Sequence, residues 1–228
     1  MDQLHDLSPT PHPIPVIGLL GAPGSGKSAV AQVLSDLGCA VIDADRLARE
    51  ALGEDEVKAA LRSWWGPDVI GPSGEVDRAS VSRIVFDQPA ELKRLESLTH
   101  PIVNRQRQEK RLAFFTRPDV HAVVEDCPLL LEAGLDHGCD VLIFVDAGLA
   151  VRQKRVRQTR GWSASELARR ESRQWPLDMK RHSADYVVRN GAGHEELRQQ
   201  VSSVLSQIRQ RFKAGIADQA ESKVTRGE

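Results

Sequence analysis

Short apolar runs alternate along the chain with longer stretches whose apolar positions recur at helical spacing. The runs are Val16-Ile17-Gly18-Leu19-Leu20, Ala40-Val41-Ile42-Asp43, Val120-His121-Ala122-Val123-Val124-Glu125, Val141-Leu142-Ile143-Phe144-Val145 and Tyr186-Val187-Val188. They lack alternation, which is the mark of strands covered on both faces in a parallel sheet. Helical segments separate them, so the expected fold is a doubly wound α/β sheet. Ligands of such sheets bind beyond the carboxyl ends of the strands. The segments that follow each strand therefore carry the interest: Gly21 onward, Asp43-Ala44-Asp45, Asp126-Cys127-Pro128 and Asp146.

Two stretches stand outside the sheet pattern. Residues 46–118 hold no convincing strand and read as helices broken at Gly66-Pro67, at Gly71-Pro72-Ser73-Gly74 and at Pro101, with 88–115 mostly helical. Residues 149–183 carry Arg152, Lys154, Arg155, Arg157, Arg160, Arg169, Arg170, Arg173, Lys180 and Arg181 against Glu166, Glu171 and Asp178. A basic helical hairpin at that place reads as a lid over phosphates, although a solvated helix face gives the same composition. The expected division is a core of 14–45, 119–148 and 184–213, a helical substrate domain at 46–118, a lid at 149–183, and flexible tails at 1–13 and 214–228.

Gly21-Ala22-Pro23-Gly24-Ser25-Gly26-Lys27-Ser28 fits G-x-x-x-x-G-K-[ST] in full. It follows the first strand candidate and precedes Ala29-Val30-Ala31-Gln32-Val33-Leu34, apolar at helical spacing. Strand, glycine-rich turn and helix together make a phosphate site: backbone N–H groups cradle anionic oxygens, Lys27 supplies a point charge, and the Ser28 hydroxyl can ligate Mg²⁺. The nucleotide-binding set is Gly21, Pro23, Gly24, Ser25, Gly26, Lys27, Ser28 and Ala29. Asp43 and Asp45 open the next helix; each could be an N-cap, or a carboxylate that takes a proton from a hydroxyl or holds Mg²⁺ through water. Asp126 could do the latter too. Asp45 and Arg49 are four apart and share a face if the segment is helical. His100 before Pro101 could be a helix-end residue or a site residue. In Leu129-Leu130-Leu131, Leu131 suits a core and the first two suit a substrate wall.

Composition narrows the class. The 228 residues are 40% hydrophobic, enough for a sizeable core. With 31 basic and 32 acidic side chains the net charge is -1, which gives no support for a nucleic-acid or membrane-surface partner. No apolar run approaches the ~20 residues of a membrane span, and residues 1–15 lack the order of a signal peptide. Cys39, Cys127 and Cys139 show no C-x-x-C spacing and suit reduced thiols in the cytoplasm. Nothing decides the oligomeric state; a monomer is favoured.

Several motifs, in order, resemble the dephospho-coenzyme A kinase family. Asp43-Ala44-Asp45 with Leu47-Ala48-Arg49 resembles its D-A-D-x-x-A-R signature. Thr99-His100-Pro101-Ile102 is similar to H-P-x-I, and Pro128-Leu129-Leu130-Leu131-Glu132 to P-L-L-F-E, with Leu131 for Phe. Gln174-Trp175-Pro176-Leu177 through Lys180 is similar to Q-M-P-L-x-x-K, with Trp175 for Met. Ala184-Asp185 through Asn190 resembles A-D-x-V-I-x-N. The loop departs from the usual G-G-I-G-S-G-K, since Pro23 removes one backbone donor. The family's second lid arginine falls on Thr159 if Arg155 is the first, with Arg160 adjacent. The resemblance implies a P-loop kinase core with five parallel strands, and transfer of the γ-phosphoryl of ATP to the ribose 3′-hydroxyl of dephospho-coenzyme A with Mg²⁺. It implies Asp45, Lys27, Arg155 and Arg160 as catalytic, and Asn190-Gly191 beside the adenine. Asp43, Arg49, His100, Leu129, Leu130 and Glu132 are implied at the acceptor. The rivals are a nucleoside monophosphate kinase, a GTP-hydrolysing switch and an ATP-binding module without chemistry. The switch normally carries N-K-x-D, which this chain lacks, and the module leaves Asp45 without a task.

Overall fold

A computed structural model describes residues 12 to 226 apart from residue 87, with side chains described to residue 215. The five apolar runs become strands β1 (Val16–Leu20), β2 (Ala40–Asp43), β3 (Val123–Asp126), β4 (Val141–Asp146) and β5 (Tyr186–Arg189). They form one sheet in the order β2-β3-β1-β4-β5. β1 pairs in parallel with β3 and β4, and β4 with β5: Ile17 faces Val124 on one side and Val141 on the other, and Phe144 faces Val187. The central strand β1 is buried throughout, as an unbroken apolar run requires, while the edge strands β2 and β5 each bury one residue. Ile17, Leu19, Val124, Ile143, Val145 and Val188 pack with Val30, Val33 and Leu34 of helix α1 (Lys27–Asp36) and with Leu197, Val201 and Ile208 of helix α9 (His194–Arg226). Burial in this core pushes the Cys39 thiol up to about 12, with Arg209 pulling the other way, so it is unreactive at neutral pH.

β3 begins at Val123 rather than Val120: Val120 turns its N–H back to the Arg117 carbonyl at 3.2 Å, and the next two residues bond to Gly38 and to the start of β2. His121 donates its N–H to Gly38 at 2.9 Å, and Ala122 accepts from Ala40 at 2.9 Å. The last helix runs to Arg226, past the point where a tail was expected. Residues 213–226 hold three alanines, two lysines and no proline, and the single Gly215, which costs about 1 kcal/mol against alanine, does not end the helix. Of the expected N-terminal tail, residues 1–11 lie outside the described residues. His12 stacks on Phe115 and Phe212, with ring centroids 4.8 and 5.5 Å apart, and its Nε2 lies 3.4 Å from Asp140.

The chain divides into two compact units. One comprises the residues up to Ile42 together with those from Ala113 onward, and the other is Asp43–Leu112. The second is helical: α2 (Ala44–Ala51), α3 (Asp55–Trp65), α4 (Arg78–Phe86) and most of α5 (Pro89–Phe115), with one isolated bridge between Ile70 and Val76. Ala51, Val57, Leu61, Val69, Val81 and Ile102 form its own core. The break expected at Pro101 does not occur; α5 runs through it. A proline inside a helix costs about 3 kcal/mol. Leu95, Leu98, Ile102 and Val103, on both sides of Pro101, are packed in this core, and burying a side chain of this kind contributes about 1.5–3 kcal/mol. Packing therefore outweighs the broken bond.

Segment 149–183, within the first unit, folds as α6 (Leu149–Arg160), α7 (Ala164–Glu171) and α8 (Leu177–His182).

Candidate active site

The loop from Gly21 to Gly26 leaves the carboxyl end of β1 and enters α1 at Lys27. Gly24 and Gly26 sit at φ +78° and +92°, a region L side chains rarely adopt. They are needed for space as well. A Cβ on Gly24 would lie 2.9 Å from the Arg152 carbonyl oxygen, and one on Gly26 would run into the Asn190 amide. α1 has no side-chain cap, so no capping side chain takes up the N–H groups at its start; such a helix start is an anion site. Lys27 Nζ donates to the Gly21 carbonyl at 2.7 Å and to Ala22 at 3.5 Å. Its charge is thereby kept within the span of the loop. The Ser25 hydroxyl is buried with no hydrogen-bond partner among the described residues. Ser28 and Ala29 are exposed on the first turn of α1.

Two of the expected site residues brace the loop. Arg155 on α6 donates through Nη1 to the Ser25 carbonyl at 3.2 Å and through Nη2 to Asn190 Oδ1 at 3.2 Å. Asn190, just past β5, donates through Nδ2 to the same carbonyl at 2.9 Å. Gly191 beside it is exposed. Thr159, in the register of the second lid arginine, bonds its hydroxyl to the Arg155 carbonyl at 2.8 Å, and the Arg160 guanidinium lies 4.7 Å from the centre of the Trp162 ring.

Much of the basic charge in segment 149–183 is used inside the segment or against the sheet edge. Arg152, 6% exposed, pairs with Glu171 and donates to the Ala147 carbonyl. Arg169 and Arg170 both pair with Glu166, and Arg181 pairs with Asp146 at the end of β4.

Of the leucines expected to form a wall, Leu129 is 44% exposed, whereas Leu130 is buried against Gly18 of β1. Leu131 is buried, as its apolar neighbourhood suggests. Glu132 accepts from Lys180 Nζ at 2.8 Å and from the Trp175 N–H at 2.6 Å. Lys180 is 1% exposed and also donates to Gln174 at 3.0 Å. Sequence reading placed Lys180 among the lid cations; its burial follows from Glu132, 48 positions earlier in the chain, and no local pattern signals that pairing. Burial pushes the Glu132 carboxyl up, but the bonds from Lys180 and the Trp175 N–H hold it below the ordinary value near 4.5. A depressed carboxylate stabilises the fold above its unfolded pKa and ceases to do so as pH falls through the folded one. Lys180→Ala is therefore expected to lower stability by about 3–5 kcal/mol, since it leaves Glu132 half-buried without its cation. Thermal melts from pH 7 down to pH 3 check this: the acid-induced loss seen below about pH 4.5 in the wild type should be reduced in Glu132→Gln.

In the second unit Asp43 caps α2: its Oδ1 accepts from the Arg46 N–H at 2.9 Å, and Arg49 lies 3.9 Å from its other oxygen. α2 thus begins at Ala44, two residues before Arg46. Arg49 pairs with Asp43 rather than with Asp45, its expected neighbour four residues away. Asp45 is exposed in the first turn. His100 is exposed on α5. Among the described residues no cluster of three or more His, Cys, Asp or Glu could hold a metal, and no helix is long and apolar enough to cross a membrane.

Fold and loop together define a P-loop kinase: a five-stranded parallel sheet with a phosphate loop at the carboxyl end of its central strand. Residues 15–196 match the family model described as dephospho-CoA kinase. The chain belongs to the dephospho-CoA kinase family, whose members phosphorylate dephospho-coenzyme A at the expense of ATP in coenzyme A biosynthesis. It is 36% identical over 193 residues to the dephospho-CoA kinase of Geobacillus kaustophilus, covering 84% of this chain and 95% of the relative. It is 39% identical over 192 residues to that of Deinococcus radiodurans, covering 84% and 91%. The crystal structure of TT1252 from Thermus thermophilus superposes with a TM-score of 0.72 at 34% identity, over 86% of this chain and 98% of that one. A dephospho-CoA kinase from Campylobacter jejuni shares the fold, with a TM-score of 0.62 at 23% identity over 85% and 96%.

Proposed function

We propose that the protein transfers the γ-phosphoryl of ATP to the ribose 3′-hydroxyl of dephospho-coenzyme A, and that the loop, Asp45 and Arg155 carry the chemistry. The observation that supports this most is the braced loop, Gly21 to Ser28, in a chain whose family is set by residues 15–196. Phosphoryl transfer is mostly positioning and charge stabilisation. The loop N–H groups would hold the β- and γ-phosphates, and Lys27 would turn its ammonium from the loop carbonyls to them. Arg155 stands beside the loop at Ser25 and would add a charge-assisted donor. Arg160, on Trp162, would have to leave that ring to do the same. Asp45, exposed at the carboxyl end of β2, would aim the acceptor hydroxyl and take its proton. Arg49, His100 and Leu129 would hold the acceptor, and Gly191 would lie along the adenine.

Mg²⁺ belongs to this proposal. The Ser28 hydroxyl on the first turn of α1 is a hard oxygen donor, the type this ion takes, and the carboxylate of Asp45 or of Asp126, which closes β3, would hold the ion through water. When bound, the ion offsets phosphate charge. The three free cysteines suit a cytoplasmic enzyme.

A panel of acceptors tests the reading. With ATP and Mg²⁺, ADP release should be far faster with dephospho-coenzyme A than with AMP, CMP or adenosine. A panel won by a monophosphate would place the protein with the nucleoside monophosphate kinases.

A further inference from the structure

We infer that Asn190 is a positioning residue of the phosphate loop: it sets the direction of the Gly26 N–H and links that setting to Arg155. The residue is 5% exposed, and both ends of its amide are engaged. Nδ2 donates to the Ser25 carbonyl at 2.9 Å and Oδ1 accepts from Arg155 at 3.2 Å. Arg155 closes the triangle by donating to the same carbonyl at 3.2 Å. Both lone pairs of the Ser25 oxygen are thereby held from one side.

The consequence follows from the peptide unit. In a trans peptide the C=O and the next N–H point in opposite directions. Holding the Ser25 oxygen toward Asn190 and Arg155 turns the Gly26 N–H away from them. Gly26 is the N-cap of α1, so this N–H opens the run of donors at the helix start. None of the described residues accepts from it. Gly26 and the Asn190 amide also interlock, since a Cβ on Gly26 would meet Nδ2. Asn190 is itself anchored, its N–H donating to the Asp146 carbonyl at 2.7 Å at the end of β4. The asparagine amide offers a donor to the carbonyl and an acceptor to the guanidinium on two separate atoms; a carboxylate offers acceptors alone.

This role places the effect of Asn190 on the phosphates rather than on the base. It rests on the nucleotide reading of the loop and not on the identity of the acceptor. Inorganic tripolyphosphate, which has no base and no ribose, separates the two roles. Its binding and that of ATP are to be measured by calorimetry on the full chain, as wild type, Asn190→Ala and Asn190→Asp. The aspartate variant keeps the volume and the acceptor for Arg155 but sets a carboxylate oxygen against the Ser25 carbonyl. Both variants should bind tripolyphosphate and ATP about tenfold more weakly, by the same factor, with KM for dephospho-coenzyme A unchanged. Should the alanine variant fail to fold, the aspartate variant decides alone. Weaker ATP binding with tripolyphosphate binding as in wild type would make Asn190 a base contact and overturn the inference. Unchanged affinity for both ligands in Asn190→Asp would overturn it as well. Failure of the acceptor reading would appear only in the acceptor panel, because tripolyphosphate binding needs no acceptor.

Discussion

Lys27→Ala is expected to remove measurable turnover while leaving the melting temperature close to wild type. The side chain is half-buried over the loop, and among its contacts are a bond to the Gly21 carbonyl at 2.7 Å and a longer one to Ala22. Losing such bonds from a partly exposed group costs about 1 kcal/mol. The contribution to the reaction is larger. Charge on the transferred phosphoryl gathers where the loop places its donors, and a preorganised donor at developing charge is worth roughly 10²–10³-fold in kcat even when it carries no full charge. A lysine ammonium in a loop of this type should exceed that. Lys27→Arg should not restore activity, because a planar guanidinium cannot take the place of a compact ammonium inside a closed loop. Steady-state kinetics and thermal melts on the two variants check the expectation. Wild-type-like turnover in Lys27→Ala would show that the loop takes no part in the chemistry.

Asp45→Asn should lower kcat by about 10²–10⁴-fold, the range for loss of a positioned acid or base. A ribose hydroxyl is a poor nucleophile unless its proton is accepted or its lone pair is aimed. The structure separates the two aspartates that sequence reading left open between capping and chemistry. Asp43 is the cap, bonded to the Arg46 N–H and near Arg49. Asp45 is exposed in the first turn of α2, where the helix start favours a carboxylate. Asp45→Asn keeps size and removes charge, so stability should change by no more than about 1 kcal/mol. Asp43→Asn keeps a capping side chain and should be milder in kcat. Near-normal kcat in Asp45→Asn with a large stability loss would return Asp45 to a structural role and direct the search for the base to Asp43 and then Asp126.

The sheet was legible because its signal is local. β1 is buried throughout and β3 and β4 bury three consecutive residues each, and parallel strands covered on both faces have no polar alternation to confuse them. The loop was legible because its glycines are needed at particular backbone angles, and Gly24 and Gly26 take them up. Pro101 misled because the rule against proline in helices is also local, while Ile102 and Leu98 are held by a core assembled from several helices. Pairings across long sequence separation left no trace in the pattern. Glu132 with Lys180, and Ser25 with Arg155 and Asn190, join residues tens to more than a hundred positions apart. The basic composition of 149–183 suggested a field aimed at phosphates. In the folded chain Arg152, Arg169, Arg170 and Arg181 each meet a carboxylate, and the Arg155 guanidinium bonds the loop at Ser25.

The most direct test of the central claim is the position of the new phosphate. Dephospho-coenzyme A is incubated with ATP, Mg²⁺ and the protein, and the product is examined by phosphorus–proton correlated NMR. The account predicts one new phosphomonoester coupled to the ribose 3′ proton, formed in step with ADP. A phosphate on any other position, or ADP released with inorganic phosphate and unmodified dephospho-coenzyme A, would contradict it.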